Sequence, residues 1–348
     1  MQRRRPVPPR SPLGYIDVYV DDFIGLAQGS PRRRNRIRSL LFHAVDQVFR
    51  PPQADDPAHR KDPISVKKLL KGDGAWETSK IILGWLVDTV AGTVHLPRHR
   101  LERLHTILDE FAPSRKRASS KSWHKLLGEL RSMVLAIPGG HGLFSTLQDA
   151  LVKASPEGRI RLNKHVHDSL HDFRLLASQL HDRPTRIAEI IPGSTDFAGT
   201  ADAAGIGMGG VWLPEDHPSS SAVRIPPILW RQEFPPEIRD ALCSFQNPSG
   251  SITNSDLELA GNLAHQDILA QEIDLLEANV AIGTDNRATE SWRRKGSSTS
   301  SKARAYLLRL GAFHQRHYRY LHTSFYVSGP ANAMADDCSR RFDLTNPQ

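Results

Sequence analysis

Two apolar periods divide the chain. From Tyr15 to Gln28, YIDVYVDDFIGLAQ, aromatic and β-branched residues form two runs that meet at Asp21-Asp22, the pattern of a β-hairpin. The basic run RRRNRIR, residues 32–38, leads into an amphipathic stretch from Ser39 to Val48, and Pro51 to Pro63 reads as a loop. From His99 onward the period is helical. Leu101, Leu104, Leu108 and Phe111 make one stripe, and Trp123, Leu126, Leu127, Leu130 and Val134 a second. Pro138-Gly139-Gly140 breaks the run, and Val166, Leu170, Phe173, Ala177 and Leu180 make a third stripe before Pro184.

Beyond residue 190 strand and helix patterns alternate. Thr195 to Pro214, TDFAGTADAAGIGMGGVWLP, predicts a strand carrying one acid, Asp202, and folding back as a hairpin. Gly205, Gly207 and Gly210 satisfy G-x-G-x-x-G, but they lead into Val-Trp-Leu-Pro, not a helix, which excludes a dinucleotide site. A strand near Ile228 to Gln232 follows. Thr253-Asn254-Ser255-Asp256 then caps a helix with a predicted buried stripe of Leu257, Ala260, Ala264, Ile268 and Ile273; Glu258 is expected in its first turn, where the dipole favours an acid. Asn279 to Thr284 reads as a strand ending in Asp285-Asn286. A basic helix from Ser301 to Tyr318, a strand around Phe325 to Val327 and a final helix with Asp336-Asp337 complete the pattern. The predicted class is α/β (α+β).

Charge sharpens this picture. Residues 1–190 hold 32 Lys+Arg against 20 Asp+Glu, net +12, whereas residues 191–348 hold 14 against 18, net −4. A basic front joined to an acidic back suggests a polyanion grip attached to a part that concentrates carboxylates. Cys243 and Cys338, the two cysteines, make neither a disulfide framework nor a cysteine zinc cluster. MQRRRPVPPR lacks the apolar stretch of a signal peptide, and no run is long enough to span a bilayer, so an intracellular protein with no membrane partner is expected.

Several motifs carry a family resemblance. Tyr19-Val20-Asp21-Asp22 looks like the Y-x-D-D motif of reverse transcriptases, and Leu83-Gly84-Trp85-Leu86-Val87-Asp88 is similar to that family's L-G-x-x-x-D primer-positioning hairpin. Adjacent carboxylates repel unless a cation lies between them, and the resemblance makes Asp21 and Asp22 metal ligands; Asp17, roughly 13 Å along the strand, is out of reach. In that family a further metal-binding Asp lies well upstream together with the fingers, whereas 18 residues precede Tyr19 here. The resemblance therefore implies a chain that does not polymerise DNA alone and a second chain supplying the N-terminal palm and fingers. Arg32, Arg33, Arg34, Trp85, Arg115, Lys116 and Arg117 are the expected nucleic-acid contacts.

The later acids follow in the order Asp, Glu, Asp, Asp, and T-x-D-A, S-D-L-E-L-A, T-D-N and N-x-x-A-D-x-x-S-R resemble the motifs of the ribonuclease H domain of retrotransposon reverse transcriptases. Within the retroelements the details look closest to the LTR/DIRS-like type. The resemblance implies a catalytic set of Asp202, Glu258, Asp285 and Asp336 holding two Mg²⁺ ions, with Mn²⁺ as substitute and Asp337 as the alternative for the last position. Hard oxygen ligands suit Mg²⁺, and two ions ~4 Å apart serve an in-line displacement at phosphorus. The implied substrate is an RNA–DNA hybrid, recognised by its shape and 2′-OH groups. The implied division is a truncated palm over 1–97, a helical thumb and connection over 98–190, and a ribonuclease H-like mixed sheet with flanking helices over 191–348. Two other readings stand beside this one: a catalytically dead remnant that only binds nucleic acid, and a transposase or integrase, which leaves Y-V-D-D and L-G-W-L-V-D without a role.

Overall fold

The computed structural model describes residues 12–20, 22–154, 158–180, 182–213, 226–297 and 302–343. Asp21 lies outside the described residues. The chain forms two compact units, one ending at Leu83 and the other beginning at Gly84.

In the first unit, β1 (Gly14–Tyr19) and β2 (Asp22–Ala27) pair antiparallel with Tyr19 opposite Asp22. Next comes α1 (Pro31–Phe49), whose N-cap Ser30 accepts a hydrogen bond from the Arg33 amide. The arginine run thus forms the opening turns of the helix instead of preceding it, because Ser-Pro is a cap followed by a residue preset for the first helical position. A methyl group on Gly14 would meet Ile37 and one on Gly25 would meet Trp76, so the hairpin lies against α1 and that indole. Helix α2 (Val66–Leu70) and strand β3 (Ser79–Ile82) complete this unit.

The second unit opens with β4 (Trp85–Asp88) and β5 (Thr93–His95), an antiparallel pair. The helical section follows: α3 (Arg98–Asp109), β6 (Arg117–Ala118), α4 (Ser120–Met133), α5 (Phe144–Val152), β7 (Ile160–Arg161) and α6 (Lys164–Gln179), after which β8 (Thr185–Arg186) pairs with β5. The three predicted stripes are its core, with the Phe111 and Trp123 rings edge-on at 5.6 Å. Helix α5 was not foreseen: it is 9 residues long and begins soon after the Pro-Gly-Gly break, too short a window for a period to show.

A five-stranded mixed sheet makes up the rest. β9 (Phe197–Ala203), β10 (Gly207–Leu213), β11 (Ile228–Glu233), β12 (Asn279–Thr284) and β13 (Leu321–Tyr326) stand in the order β11-β10-β9-β12-β13. The first three are antiparallel neighbours, while β12 runs parallel to both β9 and β13. Helices α7 (Pro236–Asp240), α8 (Asn254–Glu272), α9 (Arg287–Lys295), α10 (Lys302–Tyr318) and α11 (Ala333–Arg340) connect and flank the strands. A Cβ on Gly210 would strike His265 of α8, and one on Gly209 would strike Cys338 of α11. Adjacent strand residues face opposite ways, so α8 and α11 cover opposite faces. This is the mixed α/β class expected, a mixed sheet with flanking helices.

Three local expectations are corrected. β13 begins at Leu321, four residues before the predicted start, because its polar residues pair in register with β12 from Asn279↔Leu321 onward. Asp256, not Glu258, occupies the first turn of α8, where it forms a reciprocal cap with Thr253. The buried side of α8 also differs: Asn262, His265 and Gln266 are fully buried, while Ala260, Ala264 and Ile268 are half-buried. Trp212 stacks on His265 at 3.9 Å and the Trp230 Nε1–H donates to His265 Nδ1 at 2.7 Å, so partners on the sheet, not apolarity, draw this face inward.

Ion pairs join the helical section to α10. Arg309 donates from both Nε and Nη2 to the carboxylate of Asp172, which is 2% exposed, and Arg319 pairs with buried Glu189 at 2.7 Å. Among the described residues no helix is long and apolar enough to cross a membrane.

Candidate metal centre

Because β9 and β12 run parallel, their carboxyl ends lie at the same edge of the sheet. Asp202 is the penultimate residue of β9, and Asp285 directly follows β12. Glu258 reaches them from the second turn of α8, whose Gly261 lies against the backbone of Asp202 and the side chain of Ala203. One carboxylate oxygen from each of Asp202, Glu258 and Asp285 lies within 4.8 Å of the others.

Asp202 is 3% exposed and Glu258 5%, whereas Asp285 is half-buried, so the cluster opens on the Asp285 side. Burial pushes the Asp202 carboxyl up, the Ser339 hydroxyl opposes this, and the charges of Asp285 and Asp336 add to the rise. Glu258 is pushed up to about 9, first by burial and then by Asp202 and Asp285, against a hydrogen bond from the Ala203 amide. Its Oε2 is buried without a hydrogen-bond partner. The Arg340 guanidinium opposes the rise at both Asp202 and Glu258 without cancelling it, and three crowded carboxyl groups with one orphaned oxygen form an all-oxygen donor set that fits a hard divalent cation such as Mg²⁺.

The last helix settles unevenly. Asp336 is half-buried, acts electrostatically on Asp202 and is bound by Arg340 at 2.6 Å, but it stands outside the group of three. Asp337 is exposed and also stands outside the group of three. In the first unit, Asp22 is exposed and pairs with Lys68 at 3.1 Å.

The residues expected to touch nucleic acid divide. Arg32 and Arg33 are exposed and Arg34 half-buried at the start of α1; Lys116 and Arg117 are exposed. Arg115 is half-buried, stacks over Phe111 at 4.8 Å and donates to the Glu110 carbonyl, which employs it in the fold. Trp85 is corrected: it is 9% exposed, packs in the helical core and lies under the Arg100 guanidinium, so its ring is not offered to a ligand.

Other candidates emerge from contacts that the sequence does not show, although Ser339 belongs to the N-x-x-A-D-x-x-S-R motif. Ser339 is fully buried and its hydroxyl donates to Asp202 Oδ2 at 2.5 Å. Arg287, exposed two residues after Asp285, stacks its guanidinium over the Tyr326 ring at 3.9 Å. It opens α9, where the helix dipole disfavours a cation. On α4 the exposed residues Lys121, His124, Lys125 and Arg131 surround Gly128, beside which a Cβ would meet no atom within 4 Å. A mid-helix glycine costs about 1 kcal/mol relative to alanine, and here no packing offsets that cost.

No family model and no curated protein matches the chain. Among solved structures, a foamy viral protease-reverse transcriptase in complex with RNA/DNA hybrid is similar over 96% of this chain and 38% of its own, at 12% identity and a TM-score of 0.36. The foamy viral protease-reverse transcriptase in complex with dsDNA matches over 90% and 55%, at 13% identity and 0.36. RNase H1 from the halophilic archaeon Halobacterium salinarum NRC-1 matches over 41% of this chain and 92% of its own, at 13% identity and 0.27. The chain thus spans well under two thirds of the foamy viral proteins' length, and these likenesses concern the fold alone.

Proposed function

We propose that this chain is a metal-dependent nuclease of the ribonuclease H type, of retroelement origin, that hydrolyses RNA in RNA–DNA hybrids. The observation that carries the reading is the convergence of Asp202, Glu258 and Asp285 at one sheet edge, two of them almost wholly buried. With Asp336 beside them, these residues would hold two divalent cations. When bound, such ions supply an activated water and stabilise the leaving 3′ oxygen. Asp202 and Glu258 form the inner wall, and half-buried Asp285 and Asp336 border the side from which a phosphate enters.

The remaining residues supply grip. Arg287, two residues after Asp285 and held flat on Tyr326, presents a preordered guanidinium suited to a backbone phosphate. The basic face of α4, with bare backbone at Gly128, suits close approach of a duplex. In this reading residues 98–190 clamp the hybrid, residues 191–348 cut it, and the hairpins within 1–97 are a palm remnant.

The test is cleavage of end-labelled RNA in a hybrid by the purified chain, in Mg²⁺ and in EDTA. Mg²⁺-dependent products with 3′-hydroxyl ends support the nuclease; salt-sensitive binding without any cleavage supports the binding remnant. For Arg287→Ala, hybrid affinity should fall several-fold at moderate salt and the slope of log K against log salt should shrink by about one contact, with turnover at saturation little changed. Fluorescence anisotropy across a salt series checks this, and an unchanged slope would remove Arg287 from the interface.

A further inference from the structure

The last helix lies unusually close to the strand that carries Asp202. Gly209 stands opposite Asp202 in the β9–β10 ladder, and a Cβ there would come within 2.5 Å of the Cys338 Cβ and 2.7 Å of its carbonyl carbon. Only a glycine admits the backbone of α11 at that distance. Asn332, just before the helix, is 1% exposed and donates from Nδ2 to the Ala201 carbonyl at 3.3 Å, so α11 is moored on both sides of Asp202.

This mooring brings Ser339, itself fully buried, to 2.5 Å from Asp202 Oδ2, the range of a charge-assisted O–H···O⁻ bond. The Asp336 carbonyl lies 2.9 Å from the same hydroxyl, but a hydroxyl has one proton and the carboxylate is the nearer and stronger acceptor. A carboxylate with one oxygen held by a buried donor loses rotation about its last bond, so the lone pairs it offers to the group formed with Glu258 and Asp285 keep a fixed direction.

We infer that Ser339 is a positioning residue of the carboxylate centre: its hydroxyl orients Asp202 and couples the helix bearing Asp336 to the first acid-bearing strand. The inference rests on the cluster being a divalent-cation site. Groups that orient ligands in this way typically change metal affinity 10–100-fold when removed.

The test uses the full chain, with Mn²⁺ alone as the probe, in calorimetric titrations of the parent, Ser339→Ala and Ser339→Cys. The cysteine variant nearly keeps the side-chain shape while replacing the strong donor with a weak one. Thermal unfolding in EDTA is measured alongside. Both variants should bind Mn²⁺ about 10-fold more weakly, with metal-free midpoints close to the parent's. Parental Mn²⁺ affinity in either folded variant, or loss of fold or of metal-free midpoint in both, would overturn the inference while leaving the nuclease reading intact. A parent chain that takes up no Mn²⁺ would overturn that reading itself, and the inference with it.

Discussion

Glu258→Gln should make the metal-free protein more stable while removing hybrid cleavage. Glu258 is 5% exposed, crowded by Asp202 and Asp285, and its Oε2 has no partner. Without a cation such a group costs free energy either as an ion among like charges or by taking up a proton that the unfolded chain would not hold. An amide of the same shape avoids both costs. The expected gain is about 1–2 kcal/mol, a rise of roughly 2–8 °C in thermal midpoint in EDTA, together with loss of cleavage by a factor of about 100 or more. Opposed changes in stability and activity mark a site selected for ligand binding. A variant that is destabilised in EDTA would indicate that Glu258 is held by favourable contacts and that the crowding is not costly.

The second large effect is structural. Arg309→Met should destabilise the protein by about 3 kcal/mol, because Asp172 on α6 would be left buried with no cation opposite it. For a unit of this size that is roughly 6–12 °C in midpoint. Adding Asp172→Leu to Arg309→Met should recover most of the loss, since two apolar side chains can replace a buried ion pair at little cost. Calorimetry of the two variants checks this; a single variant within a degree of the parent would mean that the pair does not hold the helical section to α10.

The residues show why some of this was legible in the sequence and some was not. Asp202 and Asp285 could be read because each ends an apolar strand, and strand ends in mixed sheets follow from local pattern. The three helical stripes could be read because their apolar residues recur at helical spacing and pack together as one core. Glu258 was misplaced by one turn because Thr253 and Asp256 cap each other, which sets the start of α8 earlier than its acids suggest. The inward face of α8 was hidden because His265, Asn262 and Gln266 are polar letters whose burial depends on partners far along the chain. Trp85 shows the converse, an aromatic that a motif marks for binding and packing claims for the core. The Ser339–Asp202 and Arg287–Tyr326 contacts join residues 137 and 39 positions apart, and no local period encodes such pairings.

Whether carboxylates from three separate elements act together on divalent cations to cut a hybrid is decided by the rate of Mg²⁺-dependent RNA cleavage in a hybrid, parent against Asp202→Asn, both verified as folded. The expected result is cleavage by the parent and a loss of about 100-fold or more in the variant; equal rates in the two would show that Asp202 takes no part.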